Sequence, residues 1–113
     1  MKTRTSILIG VALDWAVAKC EGVKYIPLLV CDALGHWHDP TCYSAFWAQG
    51  GPIIERGGIA VERKIIEGTT EHEWKAYVPY IHAYGPTPLI AAMRCYVASK
   101  LGDEVEVPDA LLS

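Results

Sequence analysis

Four residues in one short stretch have the chemistry to bind a small planar ligand: Trp47, Gln49, Gly50 and Gly51. The face of a tryptophan can stack on a nucleobase for about 1–3 kcal/mol, and a glutamine amide can hydrogen-bond to the edge of a base. Glycines leave their backbone N–H groups accessible. We therefore predict that these residues line a binding site, although a place in the core or at an interface accounts for Trp47 equally well.

A second stretch, residues 85–94, adds groups that suit an anion. Thr87 stands directly before Pro88, and proline is favoured as the first residue of a helix. Thr87 is therefore predicted to cap a helix, and the free N–H groups and the dipole at such an N-terminus attract negative charge. Arg94, on the same helix, supplies a planar fork for a phosphate or carboxylate. If the two stretches meet, they form a nucleotide-sized pocket. The alternative for Thr87 is that it only caps the helix and binds no ligand.

Patterns for catalysis and metal binding are weak in this sequence. His36 and His38, with Asp39 and Cys42 nearby, could ligate zinc, but an exposed loop explains them equally well. No nucleophile elbow and no Ser/His/Asp order occurs, and the glutamates fall on predicted turns or wet strand faces. Gly50-Gly51-Pro52 is not followed by the lysine of a phosphate loop. We expect no catalytic residues, no metal, no cofactor and no enzymatic activity.

The cysteines are Cys20, Cys31, Cys42 and Cys95, and none forms a Cys-x-x-Cys pair. Because the sequence has no secretion signal, a disulfide framework is not expected. We interpret the cysteines as small buried apolar residues.

Length and composition indicate one small domain, residues 1–113, in which 51% of the residues are apolar. The net charge of −3 gives no basic footprint for nucleic acid. No apolar run approaches the length of a membrane span. Asp14 interrupts the apolar N-terminal stretch, so we predict a structural helix there and not a signal peptide.

The elements predicted to position these residues are two helices separated by strands. Residues 6–20 show helical spacing, with Asp14 and Lys19 expected on the surface and Gly22 as the terminator. The second helix begins at Pro88 and ends at Gly102.

Between the helices, residues 25–31 are predicted as an edge strand because they contain a proline. Gly50-Gly51-Pro52 is predicted to break regular structure before a short strand at residues 53–55. Residues 59–66 and 74–78 alternate and predict an antiparallel hairpin; residues 79–84 are predicted as a connector. The result is an α+β domain: a small, mainly antiparallel sheet with two principal helices, N-terminal and C-terminal, packed on one face.

Three blocks of the sequence, residues 12–22, 47–55 and 85–102, together resemble the phage NinX family of small proteins encoded in lambdoid phages and prophages. Phe46 stands where that family usually has an acidic residue, so no carboxylate role is carried over to that position. The resemblance implies a cytoplasmic accessory protein made in an infected bacterial host, which modifies the contest between phage and host. It implies no reaction, no metal and no catalytic residues.

Two hypotheses for the function follow. In the first, the protein is a non-enzymatic sponge for a small nucleotide-type ligand, such as a cyclic nucleotide or a cyclic ADP-ribose-type immune signal, and so counters host anti-phage defence. In the second, it is an interaction module that binds a host or phage protein, because four tryptophans and six tyrosines could furnish an interface. A homo-oligomer is expected in either case, since the apolar content is high for a short chain. A membrane and nucleic acid are not expected as partners.

Overall fold

The computed structural model describes residues 1–25, 30–31, 34, 37–38 and 41–112. Within these ranges, three α-helices form: α1 (Gly10–Glu21), α2 (Trp47–Gly57) and α3 (Pro88–Leu101). The strands are β1 (Lys2–Arg4), β2 (Val30–Cys31), β3 (Trp37–His38), β4 (Ala60–Ile65), β5 (His72–Val78), β6 (Ile81–Gly85) and β7 (Glu104–Glu106). Short 3-10 helices cover Thr5–Ile7 and Asp109–Leu111.

Strands β4, β5 and β6 form an antiparallel three-stranded sheet in that order. The β4–β5 hairpin places Glu62 opposite Lys75 and Lys64 opposite Glu73, which confirms the predicted pairing of residues 59–66 with residues 74–78. Two further antiparallel pairs form outside this sheet, β1 with β7 and β2 with β3.

Helix α3 lies on the three-stranded sheet and contacts all of its strands, while α1 and α2 pack mainly against α3. The core forms where these layers meet, from fully buried side chains of each: Leu13, Val17, Ile53, Ala76, Met93 and Val97. The predicted α+β class and the mainly antiparallel sheet are thereby confirmed. The helices are more numerous than predicted, because α2 includes both the predicted break at Gly50-Gly51-Pro52 and the predicted strand at residues 53–55.

Local signals define the ends of α3 as predicted. Thr87 caps the helix, and its Oγ1 accepts a hydrogen bond from the backbone N–H of Ile90 at 3.1 Å. Pro88 is the first helical residue, and Gly102 ends the helix with a φ of 85°. Because proline lacks an N–H that would be unpaired there and glycine tolerates a positive φ, both residue types fit their positions.

The prediction for residues 50–55 was wrong. Gly50, Gly51 and Pro52 do not break the chain but lie inside α2. Tertiary packing overrides their low helix propensity. Ile53 is buried, and the absence of a side chain at Gly50 lets this helix approach Leu89.

Residues 79–84, predicted as a connector, mostly belong to β6, which was also missed. The turn from β5 to β6 is only two residues long, since β5 ends at Val78 and β6 begins at Ile81. Tyr80 adopts a φ of 69° in this turn. A tyrosine rarely adopts this left-handed conformation. Because glycine or asparagine usually occupies such a position, the sequence gives no signal for this turn.

The N-terminal prediction needs two corrections. Helix α1 begins at Gly10 and not at residue 6, because the preceding residues pair with β7 and then form a 3-10 turn. Asp14, expected on the surface, is buried, and its Oδ1 accepts a hydrogen bond from the backbone N–H of Ser44 at 2.9 Å. Gly22 does terminate α1, with a φ of 71°.

Several other predictions fall wholly or partly outside the described residues. These are most of the strand at 25–31 and the side chains of Cys31, His36, His38 and Asp39. Among the described thiols, Cys95 is buried as predicted, whereas Cys20 and Cys42 are partly exposed, and all three are free. No helix in the described ranges is long and apolar enough to cross a membrane.

Candidate ligand-binding site

Arg94 joins three parts of the fold through its guanidinium group. Its Nε donates to the carbonyl of Leu8 at 2.8 Å, and its Nη1 donates to the carbonyl of Tyr84 at 2.8 Å. Nη2 donates to no group among the described residues, so it keeps donors for a ligand. Burial lowers the pKa of Arg94 from its ordinary value, but a guanidinium remains charged at neutral pH.

The backbone of Gly85 lies directly against the first turn of α3. A Cβ atom at Gly85 would stand 2.8 Å from the backbone nitrogen of Ala91 and 3.0 Å from Cγ2 of Ile90. Real Cβ atoms do not approach backbone atoms this closely, so only glycine fits. The end of β6 and the start of α3 are therefore held in direct contact beside Arg94.

The other wall of the site comes from the N-terminal segment. The backbone N–H of Thr5 donates to the carbonyl of Asp103 at 2.8 Å, and Oγ1 of Thr5 donates to the carbonyl of Gly102 at 2.6 Å. Together with the β1–β7 pairing, these bonds fix Arg4 and Ser6 beside the end of α3.

These elements surround a cleft of about 650 Å³, which we call the Arg94 cleft. This volume lies within the usual range for small-molecule sites. Its lining is contributed by the N-terminal segment, β5, β6, α3 and the start of β7. Its charged or aromatic members are Arg4, His72, Glu73, His82, Tyr84, Arg94, Asp103 and Glu104.

The charges around the Arg94 cleft are mixed. Arg4 and Arg94 face the cleft together with the carboxylates Glu73, Asp103 and Glu104. Glu104 is drawn towards Lys2, with a separation of 4.0 Å between carboxylate oxygen and Nζ. Such a lining suits a molecule that carries both a negative group and hydroxyl or amine donors, and it suits a polyanion poorly.

Of the predicted site residues, only Arg94 lines this cleft. Trp47 lies at the start of α2 and is 56% exposed. The Oε1 of Gln49 accepts a hydrogen bond from the backbone N–H of Cys42 at 2.5 Å, so this amide is engaged within the fold. Gly51 lies inside α2, and Thr87 caps α3 without lining the cleft.

The two predicted stretches do meet, but in packing and not in a shared cavity. Gly50 faces the start of α3, where a Cβ would stand 2.7 Å from Cδ2 of Leu89. The structure does not bring Trp47 and Arg94 together along the Arg94 cleft.

The remaining residues of the cleft were not predicted from the sequence. Arg4, Asp103 and Glu104 reach the site through the β1–β7 pairing, which joins the two ends of the described chain. No local motif signals such a pairing. His82 and Tyr84 do carry a sequence signal, because they alternate along one strand. In the structure their rings make an edge-to-face contact, with centroids 5.8 Å apart.

The described residues include no cluster of three or more potential metal ligands. No curated protein sequence matches the chain. Residues 4–100 match the family model described as bacteriophage P22, NinX. That match includes α1, α2, the three-stranded sheet and nearly all of α3, and hence most of the Arg94 cleft. The chain therefore belongs to the NinX family of bacteriophage P22.

Proposed function

We propose that this phage accessory protein is a non-enzymatic binder of a small nucleotide-type ligand, and that it holds the ligand in the Arg94 cleft. In an infected cell it would act in the cytoplasm as a sponge for a cyclic nucleotide or a cyclic ADP-ribose-type signal of host defence. The observation that carries this proposal is the guanidinium of Arg94, which is fixed by two backbone carbonyls while Nη2 stays available.

The parts of a nucleotide correspond to different parts of the lining. A phosphate would bind to Nη2 of Arg94 and to Arg4, because guanidinium groups match the geometry of phosphate oxygens. Ribose hydroxyls would donate to a carboxylate such as Glu73 or Asp103, as they do in other nucleotide sites. The ring of Tyr84, which is 39% exposed, offers a surface on which a base can stack.

The same lining argues for sequestration without turnover. The carboxylates of the cleft are also the groups that would be needed for acid–base chemistry. Two of the three, Asp103 and Glu104, are exposed, whereas Glu73 on β5 is half-buried. Exposed carboxylates are poorly suited to general acid catalysis at neutral pH. A sponge needs only tight binding, which a fixed arginine and a shaped cleft favour.

Calorimetry and thermal unfolding against a panel of cyclic mononucleotides, cyclic dinucleotides and cyclic ADP-ribose isomers test the proposal. At a ligand concentration about 100 times its dissociation constant, binding stabilises the folded state by about 2.7 kcal/mol. The matching nucleoside without phosphate should bind far more weakly. Failure of every nucleotide to raise the unfolding temperature would refute the sponge.

Two arginine variants test whether the ligand binds in the Arg94 cleft. Arg4→Gln removes a cleft arginine without disturbing Arg94, and Arg63→Gln removes an arginine of β4 that does not line the cleft. We expect Arg4→Gln to weaken binding and Arg63→Gln to leave it unchanged. Equal affinities for both variants and the unaltered protein would exclude Arg4 from the site, and then the Trp47 surface would be examined with Trp47→Ala.

A second candidate function, binding to a host or phage protein, is favoured by one surface. Phe46 and Trp47 are adjacent at the start of α2, and they are 54% and 56% exposed. Large aromatic side chains left in solvent are typical of interface anchors. Recovery of a stoichiometric protein partner from infected cells, lost on Trp47→Ala but retained on Arg4→Gln, would support this function over the sponge.

A further inference from the structure

Strand β4 forms one edge of the three-stranded sheet, and no strand in the described part of the chain pairs with its outer side. The backbone N–H of Ile66 donates to the carbonyl of Glu71 at 2.9 Å. In an antiparallel pair, hydrogen-bonded residues alternate along the strand. The even-numbered residues of β4 therefore bond to β5. The backbone N–H and C=O groups that point to the open edge are those of Val61, Arg63 and Ile65.

We propose that two copies of this chain associate through this edge, with their β4 strands antiparallel and Arg63 lying on the twofold axis. The two sheets would join into one continuous sheet with both α3 helices on the same face. Val61 would lie opposite Ile65 of the partner subunit, and each such pair would exchange two backbone hydrogen bonds. This inference concerns assembly and does not depend on the proposed ligand.

The opposite charges of Glu62 and Lys64 favour this register of the two β4 strands. Residues directly opposite in an antiparallel pair lie on the same face of the sheet, so Glu62 would face the partner's Lys64, and Lys64 would face the partner's Glu62. Within one chain these two side chains already approach to 3.9 Å. Two neighbouring registers also keep the faces matched. One would place Glu62 opposite Glu62 of the partner subunit and the other would place Lys64 opposite Lys64 of the partner subunit, and like charges in those positions repel.

Apolar burial favours the same register. Ile65 is 67% exposed and Ile66 is 37% exposed at the end of the hairpin. In the proposed pair, Ile65 would pack against Val61 of the partner subunit, and Ile66 would pack against Ala60 of the partner subunit. In the dimer, the outer edge of β4 would thus make apolar contacts and backbone hydrogen bonds that it does not make within one chain.

Two features oppose the pairing. Charged side chains on an edge strand commonly prevent association, and Arg63 would lie opposite its own copy. Arginine side chains are long enough to turn away from each other, and within each chain Arg63 has Trp74 as its cross-strand neighbour. The opposite charges of Glu62 and Lys64, in contrast, attract in the proposed register, and a charge exchange can test them.

Sedimentation of the full chain over a wide concentration range is the experiment. The unaltered protein should be a dimer. Glu62→Lys places two lysines opposite each other, and Lys64→Glu places two glutamates opposite each other. Because both symmetry-related pairs then repel, each variant should raise the dimer dissociation constant about tenfold or more. Lys24→Glu, a charge reversal on the exposed segment after α1, should leave the dimer intact.

The decisive sample is an equimolar mixture of the two single variants. In the mixed dimer every opposed pair is again a lysine and a glutamate, so the mixture should dimerise as the unaltered protein does, and so should the double exchange E62K/K64E. Circular dichroism of each variant checks that it is folded. An unaltered protein that is monomeric at all concentrations, single variants that remain dimers, or a mixture that remains monomeric would each overturn the proposal.

Discussion

Nη1 of Arg94 donates to the backbone carbonyl of Tyr84 at 2.8 Å, and the same guanidinium donates through Nε to the carbonyl of Leu8. A helix, a strand and the N-terminal segment are thereby joined by one side chain. The residue that the sequence marks as a ligand group is thus also a structural residue. Its substitution will change stability whether or not a ligand is present.

Replacement of Arg94 by methionine should lower the free energy of unfolding by about 1–3 kcal/mol, because the carbonyls of Leu8 and Tyr84 lose their donors, the first of them partly buried. Arg94→Lys keeps the charge but cannot make both bonds in the same geometry, so its loss should be intermediate. Urea unfolding measures both variants. A methionine variant as stable as the unaltered protein would contradict the structural role given to this side chain.

Two adjacent glycines should respond in opposite directions to alanine. A Cβ at Gly50 would collide with the carbonyl of Tyr43 and stand 2.7 Å from Cδ2 of Leu89, whereas at Gly51 the nearest atom is Cε3 of Trp47, at 3.9 Å. Gly50→Ala should therefore destabilise the protein by about 1–3 kcal/mol through overpacking. Gly51→Ala should stabilise it by about 0.5–1 kcal/mol, because alanine favours a helix. Unfolding midpoints that shift alike for both would argue against the packing of α2 on α3.

The contribution of Asp14 to the free energy of unfolding depends on pH. Burial raises the pKa of its carboxyl group, while hydrogen bonds from Ser44 partly oppose that shift. The raised pKa means that ionisation of Asp14 costs more in the folded than in the unfolded state, so stability is lost as the pH rises through the folded-state pKa. Asp14→Asn keeps an oxygen that can accept from Ser44 and removes the charge. The variant should be more stable than the unaltered protein at pH 7, and this advantage should vanish below about pH 4.

Thermal unfolding across this pH range tests that expectation. Glu71→Gln, on the exposed turn between β4 and β5, is the control for the loss of one negative charge. An advantage of Asp14→Asn that persists unchanged in acid would show that its effect does not come from ionisation.

Tyr96 should contribute to a loss of stability as the pH rises above about 10. Its hydroxyl donates to Oε2 of Glu21 at 2.5 Å, and Arg56 bonds to the same carboxylate at 2.7 Å. Burial, together with the bond to Glu21, raises the pKa of Tyr96 to about 12. An unfolded tyrosine ionises near pH 10, so the stability contributed by Tyr96 is complete below about pH 10 and is lost as the pH rises towards 12.

Tyr96→Phe should therefore cost about 0.5–1.5 kcal/mol at neutral pH, and the difference from the unaltered protein should shrink in strong alkali. Tyr80→Phe alters a fully exposed hydroxyl and should follow the unaltered protein at every pH. A constant difference for Tyr96→Phe between neutral and strongly alkaline solution would contradict the raised pKa.

The sequence predicted those elements whose signals are local. Thr87, Pro88 and Gly102 delimit α3 by their own conformational preferences, and alternation marks both strands of the β4–β5 hairpin. Helix α2 was not predictable in the same way. Its glycines and proline oppose a helix locally, and only contact between Gly50 and Leu89, far apart in the sequence, makes the helical packing favourable.

The candidate site shows the same division. Arg94 was selected from its residue type and its place in a helix, and it does line a cleft. Its neighbours Arg4 and Asp103 come from opposite ends of the chain, and only the β1–β7 pairing brings them together. Asp14 was expected on the surface because it lies outside the apolar face of its helix, whereas it is buried and the backbone N–H of Ser44 compensates for this burial.

The direct packing of Gly85 on the first turn of α3 has a consequence for how fast a ligand binds in the cleft. With no side chain between strand and helix, these two elements cannot slide independently, and the spacing between Tyr84 and Arg94 is set before an encounter. Association would then be a one-step process whose rate rises in proportion to concentration, without a slower rearrangement afterwards.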